Sequence, residues 1–517
     1  MNAQHAQPLS PHSQQGRRAL VVGLGDTGAS CVRWLIEHDA QVRATDTRAA
    51  PPHAQHLSEA FPEVQLTLGG FNADDFAWAD LIVVSPGVPV ATPEIQAAQA
   101  QGKDIVGDVE LFARAIAGSG AKVIAITGSN GKSTVTSLAH HLCAAAGFDA
   151  VMAGNIGLPV LDALDNRETA GGDPDVWVLE LSSFQLETTH SLHADAATVL
   201  NVSEDHLDRY DGMAGYIAAK ARVFAGNGAQ ILNRDDPVVR AMALPGRTVT
   251  TFGLPPSPAG GRAGDEGAAS AVAASQALLP HPNPPPGGEG AFGLLPHQGG
   301  VWLALGDKPL YAVDQLPIAG LHNAANVLAA LALCQAIGIP LARLLPGLAS
   351  FRGLPHRVEP VDEVHGRTFF DDSKGTNVGA TVAALLGFAR PVVLIAGGDG
   401  KGQDFTPLRE AVKNARAVVQ IGRDGPRIEA AIAGACPVLR EESMEQAVWR
   451  AYEASQPGDV ILMSPACASF DMFRNYAHRA EVFIAAVKVL AAHGGERRMN
   501  KDRRHAEEER RRGRDVP

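Results

Sequence analysis

Val123-Ile124-Ala125-Ile126-Thr127-Gly128-Ser129-Asn130-Gly131-Lys132-Ser133-Thr134 joins three kinds of sequence in twelve residues. The first four are apolar and largely β-branched, which predicts a strand. A polar glycine turn follows, and from Ser133 the residues suit a helix. At such a strand-to-helix junction the backbone N–H groups of the turn and the positive helix end face the same point, a cradle for polyphosphate. Gly128, Ser129, Asn130, Gly131, Lys132, Ser133 and Thr134 are therefore the expected nucleotide-contacting set. The glycines allow close approach, Lys132 brings a point charge to the β- and γ-phosphates, and Ser133 offers a hydroxyl to Mg²⁺. The spacing is G-x-x-G-K-S, with Ile126 where the first glycine of the common phosphate loop would stand. That departure points to a narrower group than the general P-loop nucleotidases.

Outward from this stretch, apolar β-rich runs alternate with helix-like segments, the pattern of α/β domains with mostly parallel sheets. On the N-terminal side, the strand Ala19 to Val22 enters the turn Gly23-Leu24-Gly25-Asp26-Thr27-Gly28. A second strand ends at Asp46, and a third, Leu81 to Val84, ends in Ser85-Pro86-Gly87. On the C-terminal side, strands are expected at Val392 to Ala396, Ala417 to Ile421 and Val460 to Met463. The chain is read as three α/β domains. A Rossmann-like domain covers 1–117, a central P-loop ATPase-type domain 118–352, and a second Rossmann-like domain 353–495. Residues 255–300 are rich in Pro, Gly and Ala and are read as a flexible insertion. Residues 496–517 are read as a charged, disordered tail.

At 517 residues, 45% hydrophobic and 19% charged, the composition is that of a soluble globular protein. No apolar run reaches the roughly 20 residues that a membrane span requires, and Met1 to Gln15 does not read as a signal peptide. The five cysteines are scattered without a Cys-x-x-Cys pair, as expected of reduced thiols. These features predict a cytoplasmic protein. A net charge of -12 argues against nucleic acid as a main partner.

Further motifs extend the reading. Asn155-Ile156-Gly157 follows the phosphate loop, then Leu179-Glu180-Leu181-Ser182-Ser183-Phe184-Gln185-Leu186, then Asn201-Val202-Ser203-Glu204-Asp205-His206-Leu207-Asp208-Arg209-Tyr210, then Lys220 within Ala218-Ala219-Lys220-Ala221-Arg222. Taken singly, Glu180, His206 and Lys220 read as a structural carboxylate, a structural histidine and a surface lysine. In this order behind this loop, they resemble the Mur ligase and folylpolyglutamate synthase superfamily. The resemblance implies ATP as co-substrate and two Mg²⁺ ions, held by Ser133, Glu180, His206 and Lys220. It also implies that Lys220 is carbamylated, and that Lys132, Glu180, His206, Lys220 and Lys374 are catalytic.

The resemblance spans about Ala19 to Leu490, omitting the insertion. Gly320-Leu321-His322-Asn323-Ala324-Ala325-Asn326 matches the family's hinge segment, which places Asn323 and Asn326, with Arg357 and Asp372, at ATP. Asp371-Asp372-Ser373-Lys374-Gly375-Thr376-Asn377, Gly397-Gly398-Asp399-Gly400-Lys401 and Ser464-Pro465-Ala466-Cys467-Ala468-Ser469-Phe470-Asp471 are similar to signatures of the family's D-glutamate-adding branch. His356, Lys374, Thr376, Lys401, Ser469 and Tyr476 are the matching amino-acid-binding positions. Gly375 replaces an expected alanine, and Tyr476 an expected phenylalanine.

Gly23-x-Gly25-x-x-Gly28 with Asp46 fits a dinucleotide fingerprint and by itself accommodates NAD. In the family resembled, this architecture holds UDP. Asp26, Thr27, Asp46, Thr47, Arg48, Ser85, Pro86, Gly87, Asn155 and His206 are the implied UDP-sugar contacts. The implied substrates are UDP-N-acetylmuramoyl-L-alanine, D-glutamate and ATP, used by a monomer. The competing readings are a sister ligase, a nucleotide-gated binding protein without turnover, and an NAD-dependent oxidoreductase.

Overall fold

A computed structural model describes residues 14–205, 209–254 and 291–492. His206, most of the Pro/Gly/Ala-rich insertion and the charged tail lie outside the described residues. The architecture is mixed α/β, with three sheets.

The first sheet contains β1 (Arg18–Val22), β2 (Gln41–Asp46), β3 (Gln65–Leu68), β4 (Leu81–Val84) and β5 (Asp104–Val106) in the order β3-β2-β1-β4-β5. All of its pairings are parallel. Ala19 to Val22 and Leu81 to Val84 are buried, as strands covered on both faces must be. Because β1 lies between β2 and β4, the chain reverses its direction of progress across the sheet at β1. The crevice at its C-terminal end, where Gly23 to Gly28 sit, is thus a switch point of the kind that receives ligands.

The second sheet comprises β6 (Lys122–Thr127), β7 (Ala150–Gly154), β8 (Val176–Glu180), β9 (Ala196–Val199), β10 (Ala229–Asn233), β11 (Val249–Phe252), β12 (Ala291–His297), β13 (Gly300–Leu305) and β14 (Lys308–Ala312). Their order is β14-β13-β12-β11-β10-β9-β6-β8-β7. Here β6 is the strand between two directions of progress, and the phosphate loop leaves its C-terminal end. Parallel register sets Ile126 beside Glu180 on β8 and Thr127 beside Val199 on β9, so both flanking loops open next to the phosphate loop.

Residues 291–300, assigned by composition to the flexible insertion, instead form β12 and open β13. Gly293, Pro296, Gly299 and Gly300 continue the Pro/Gly content past Ala291, yet the segment pairs as strands. Phe292 is fully buried, and an antiparallel ladder runs from Phe292–Leu305 to His297–Gly300.

The third sheet contains β15 (Glu359–Val364), β16 (Arg367–Asp371), β17 (Val392–Gly397), β18 (Ala415–Ile421), β19 (Val438–Arg440) and β20 (Val460–Met463) in the order β15-β16-β20-β17-β18-β19. Neighbouring β16, β20 and β17 are parallel, with Asp371 and Ile395 both opposite Met463. The loops that begin at Asp372, Ser464 and Gly398 therefore leave one edge side by side.

The chain divides into two compact units. One holds the first two sheets and residues 324–351; the other holds the third sheet and residues 318–323. Within the first, one apolar core runs through both sheets, and Phe112 meets Trp177 edge-on at 5.0 Å between centroids. Among the described residues, no helix is long and apolar enough to cross a membrane.

Candidate functional site

The phosphate loop is held by the loop after β9. Ser129 N–H donates to Asn201 O at 2.9 Å, while Asn201 Oδ1 accepts from Asn130 N–H at 2.8 Å and its Nδ2 donates to Asn130 O at 3.0 Å. Ser203 N–H donates to Ser129 Oγ at 3.0 Å, and that hydroxyl also shares a hydrogen bond with Tyr216 OH at 3.1 Å. Gly131 caps the helix Lys132–Ala145 at φ +83°, and a Cβ there would come within 2.8 Å of Asn326 Oδ1. Glycine is needed on both grounds. The same contact places Asn326 at the start of the phosphate-loop helix. Lys132 Nζ donates to Gly128 O at 2.9 Å and Ser129 O at 3.1 Å. Ser133 and Thr134, in the first turn, are buried.

Lys220 reaches the same carbonyl: its Nζ donates to Gly128 O at 2.9 Å and lies 4.5 Å from the Tyr216 ring centroid. Burial, then the neighbouring Lys132 charge, push its pKa well below the ordinary lysine value against the pull of Asp205 and Glu180. Glu180 is equally buried. Its Oε1 accepts from Asn155 Nδ2 at 2.7 Å, whereas its buried Oε2 has no hydrogen-bond partner among the described residues. An unpartnered buried carboxylate oxygen is costly unless something else supplies positive charge. With Ser133 and Lys220 close to the same loop, this donor set fits a hard divalent cation.

At the first sheet's switch point, Asp46 accepts from Leu24 N–H at 2.7 Å and from Arg48 N–H, Nε and Nη2 at 2.7–2.9 Å. Burial opposes its ionisation, but the Arg48 and Leu24 hydrogen bonds prevail and hold it at about 2. The acid expected on a ribose is thereby committed to the glycine turn. Ser85 Oγ donates to Gly23 O at 2.7 Å, which brings Ser85-Pro86-Gly87 against that turn. Asp26 directs its exposed carboxylate to His53 Nε2 at 2.7 Å, so its backbone N–H is the group suited to a diphosphate. Thr47 and Arg48 are exposed beyond Asp46, with Thr27 half-buried on the first helical turn.

The second unit gathers the C-terminal candidates. Lys374 Nζ lies 3.9 Å from the Tyr476 ring centroid, and His356 meets the same ring edge-on at 6.2 Å. His356, at φ +63°, shares a 2.6 Å hydrogen bond between its Nδ1 and Asp371 Oδ2, and its carbonyl accepts from Lys374 N–H at 3.1 Å. Asp372 accepts from Ser464 Oγ at 2.6 Å. Burial raises Asp372 to about 7 against the opposing effects of Ser464 and Arg357. A Cβ on Gly375 would stand 2.6 Å from Asp372 Oδ2 and 2.8 Å from Ser464 Oγ, which accounts for glycine in place of the expected alanine. Ser469 is buried, and Lys401 is exposed at φ +47°. Asn323 donates to Ala319 O at 2.7 Å; Thr376 N–H donates to Lys374 O at 2.8 Å.

Sequence reasoning missed four contributors. Asn201 and Ser203 lay inside a quoted motif, yet their work is to clamp the loop, which only the fold reveals. Tyr216 reads as a core aromatic. Arg479 carries no local signal at all: it is buried, with Nε donating to Ser373 Oγ at 3.0 Å, Nη2 to Ser373 O at 2.8 Å and Nη1 to Cys467 O at 3.0 Å.

Comparison with known proteins identifies the family. Residues 17–107 match the MurD-like N-terminal domain of Mur ligases, 126–260 the Mur ligase middle domain, and 356–467 the Mur ligase glutamate ligase domain. The chain is 54% identical over 493 residues to UDP-N-acetylmuramoylalanine–D-glutamate ligase of Thiobacillus denitrificans, covering 92% of this chain and 97% of that one. It is 54% identical over 478 residues to the enzyme of the same name in Chromobacterium violaceum, covering 92% and 98%. In fold it is similar to MurF ligase of Thermotoga maritima solved with ADP (TM-score 0.54, 15% identity, 95% and 98% covered). The UDP-N-acetylmuramate-alanine ligase MurC of the same organism gives 0.52 at 17% identity, with 92% and 99% covered. The chain belongs to the Mur ligase family, in its MurD-like branch.

Proposed function

We propose that this chain joins D-glutamate to UDP-N-acetylmuramoyl-L-alanine at the expense of ATP, in peptidoglycan precursor synthesis. It does so as a cytoplasmic monomer with domains at 1–117, 118–352 and 353–495. The observation that carries the reading is the pairing of an unpartnered, buried Glu180 oxygen with a buried lysine on a phosphate-loop carbonyl. That arrangement supports phosphates and divalent cations as the groups received there. The relatives at 54% identity, matched over 97–98% of their own length, carry the substrate assignment.

An oxygen of the L-alanyl carboxylate attacks the γ-phosphorus of ATP. The bond to the β-phosphate bridging oxygen breaks, leaving ADP and an acyl phosphate. The D-glutamate amine then attacks the acyl carbon, inorganic phosphate departs, and the amine loses a proton. Little covalent chemistry is asked of the protein, so positioning and charge neutralisation dominate. The backbone N–H groups of Gly128 to Lys132 and the Lys132 ammonium hold the β- and γ-phosphates. Ser133, Glu180, His206 and Lys220 would hold Mg²⁺, which neutralises charge developing on the transferred phosphoryl group.

A buried lysine between these groups is better suited as a carbamate than as an ammonium. Its neutral amine adds CO₂ and releases a proton, turning a repelled cation into a carboxylate-like ligand. Asn323, Asn326, Arg357 and Asp372 serve ATP. His356, Lys374, Thr376, Lys401 and Ser469 orient D-glutamate, with the Tyr476 ring behind Lys374. The glycine turn with Asp26, Thr27, Asp46, Thr47 and Arg48, the Ser85-Pro86-Gly87 turn and Asn155 hold the sugar nucleotide.

The test is phosphate release from ATP with UDP-N-acetylmuramoyl-L-alanine, comparing D-glutamate with L-glutamate, D-alanine and L-lysine, and weighing the product. Release and a mass gain with D-glutamate alone is the expected outcome. Release with another amino acid moves the chain to a sister activity. Lys132→Ala should nearly abolish release, and normal turnover by that variant would sink the proposal.

A further inference from the structure

Arg209 is the residue on which two parts of the first unit converge. Its side chain is nine-tenths buried (11% exposed) and donates from Nη1 to Pro86 O at 3.2 Å and from Nη2 to Val88 O at 3.0 Å. Both carbonyls belong to the turn after β4, which Val88 N–H closes onto Ser85 O at 2.9 Å. Nη2 also donates to Glu187 Oε2 at 3.2 Å, and the guanidinium lies over the Phe184 ring at 4.3 Å from its centroid. Phe184 and Glu187 belong to the short helix Ser183–Glu187, which begins three residues after Glu180. One planar cation thus ties the Ser85-Pro86-Gly87 turn of the first sheet to the segment that carries Glu180 in the second.

We infer that Arg209 is a positioning residue for the sugar-nucleotide substrate. It fixes the turn that receives the diphosphate relative to the carboxylate side of the phosphate-transfer site. This inference rests on the reading that Ser85-Pro86-Gly87 contacts the UDP moiety. Two physical points carry it further. By occupying two carbonyl oxygens of the turn, the guanidinium removes acceptors that would repel a diphosphate, while Glu187 balances its charge and holds it in place. Its flat fork also satisfies two carbonyls, a carboxylate and an aromatic face together, which the single ammonium point of lysine cannot do. The rest of the joint is spread over many contacts. Arg33 Nη2 to Asp162 Oδ1 at 2.7 Å and Glu110 Oε2 accepting from His190 and Ser191 N–H at 2.7 and 2.8 Å also tie the sheets. Losing Arg209 therefore leaves the sheets joined and loosens the turn.

The experiment compares Arg209→Lys, Arg209→Met and Glu187→Gln with wild type. It reads kcat and the separate KM values for UDP-N-acetylmuramoyl-L-alanine, ATP and D-glutamate, with urea denaturation on each protein. The expected result for both Arg209 variants is a rise of about tenfold or more in KM for the sugar nucleotide, with the other two KM values within about twofold. Glu187→Gln, which keeps the fork but loosens its seat, should give a smaller rise of the same kind. A merely structural arginine would lower the denaturation midpoint and the apparent kcat while leaving all three KM values alone; that pattern overturns the inference. An unchanged sugar-nucleotide KM in Arg209→Lys overturns it too, while wild-type turnover keeps the functional reading intact. If wild type itself neither turns over nor binds the sugar nucleotide, the reading of the turn fails and takes this role with it.

Discussion

Lys220 and Arg479 are both 1% exposed, one in each compact unit, and the protein treats the two buried cations in opposite ways. Among the described residues, Lys220 donates to one carbonyl, which it shares with Lys132, and faces an aromatic ring. Desolvation therefore wins, and the amine is driven towards neutrality. Arg479 has three hydrogen bonds to two carbonyls and a hydroxyl, with Asp371, Asp372 and Asp471 nearby. Burial lowers it only to about 10, which leaves it charged at neutral pH. A buried cation that is fully hydrogen-bonded is a rivet. One left short of partners is a reactive group.

The comparison predicts different failures when each cation is removed. Lys220→Ala should fold normally but lose kcat on the order of 10²–10³-fold, because the loss falls on charge stabilisation during transfer. A short carboxylic acid added to this variant should restore part of the activity by filling the place of the proposed carbamate. Bicarbonate-depleted buffer should slow the wild type. If Lys220→Ala instead lost stability and kept its kcat, Lys220 would be a second rivet and the contrast would collapse.

Arg479→Met should do the reverse. It strands Ser373 O and Cys467 O in the interior and breaks the tie between the loops after β16 and β20, for about 3–5 kcal/mol of stability. Equilibrium urea denaturation, followed by a probe in the C-terminal unit, measures this. Arg479→Lys should recover less than half of the loss, since an ammonium cannot reproduce the fork. A midpoint unchanged in Arg479→Met would show that the hydrogen-bond set is dispensable.

How much of this was legible in the sequence depends on distance along the chain. The phosphate loop, the turn after β1 and the three C-terminal signatures are local, and the strand–glycine–helix pattern predicts both their conformation and their place at strand ends. The switch points followed once the strand order was known; the composition could not supply it. Asn201 and Ser203 clamp residues about 70 positions away, and Arg479 reaches Ser373 across 106 positions, so nothing in their neighbours marks them. The insertion was overread in the other direction: Gly293 and Pro296 hid a strand from Ala291 onward that is held by its antiparallel pairing with β13.

A buried acid sharpens the comparison by reversing its sign. Asp372, raised to about 7 mainly by burial, has a folded pKa above its unfolded value near 3.8. Its favourable contribution is complete below about pH 4 and disappears as pH rises through about 7, because the folded state then holds an ion it solvates poorly. Asp372→Asn mimics the protonated acid. The difference in stability between variant and wild type should therefore be small at pH 4 and grow in the variant's favour by on the order of 1–4 kcal/mol towards pH 8. Denaturation at four pH values measures that difference. A constant difference would mean that Asp372 is ionised throughout.

The smallest expected effect concerns the exposed counterpart of the Lys220–Tyr216 pair. Lys374 lies over Tyr476 at 3.9 Å, slightly closer than Lys220 over Tyr216 at 4.5 Å, but Tyr476 is 36% exposed. Lys374 is half-buried, and the partly exposed ring face orients its ammonium. The ring face supplies that orientation and the phenol hydroxyl adds nothing to it. Tyr476→Phe should therefore leave the KM for D-glutamate within about twofold. Tyr476→Ala, which removes the face, should raise it by the two- to fivefold that about 0.5–1 kcal/mol of an exposed cation–π contact represents. Steady-state kinetics in D-glutamate separates the cases. A loss in Tyr476→Phe as large as in Tyr476→Ala would assign the work to the hydroxyl, making the position a hydrogen-bonding site rather than a flat support.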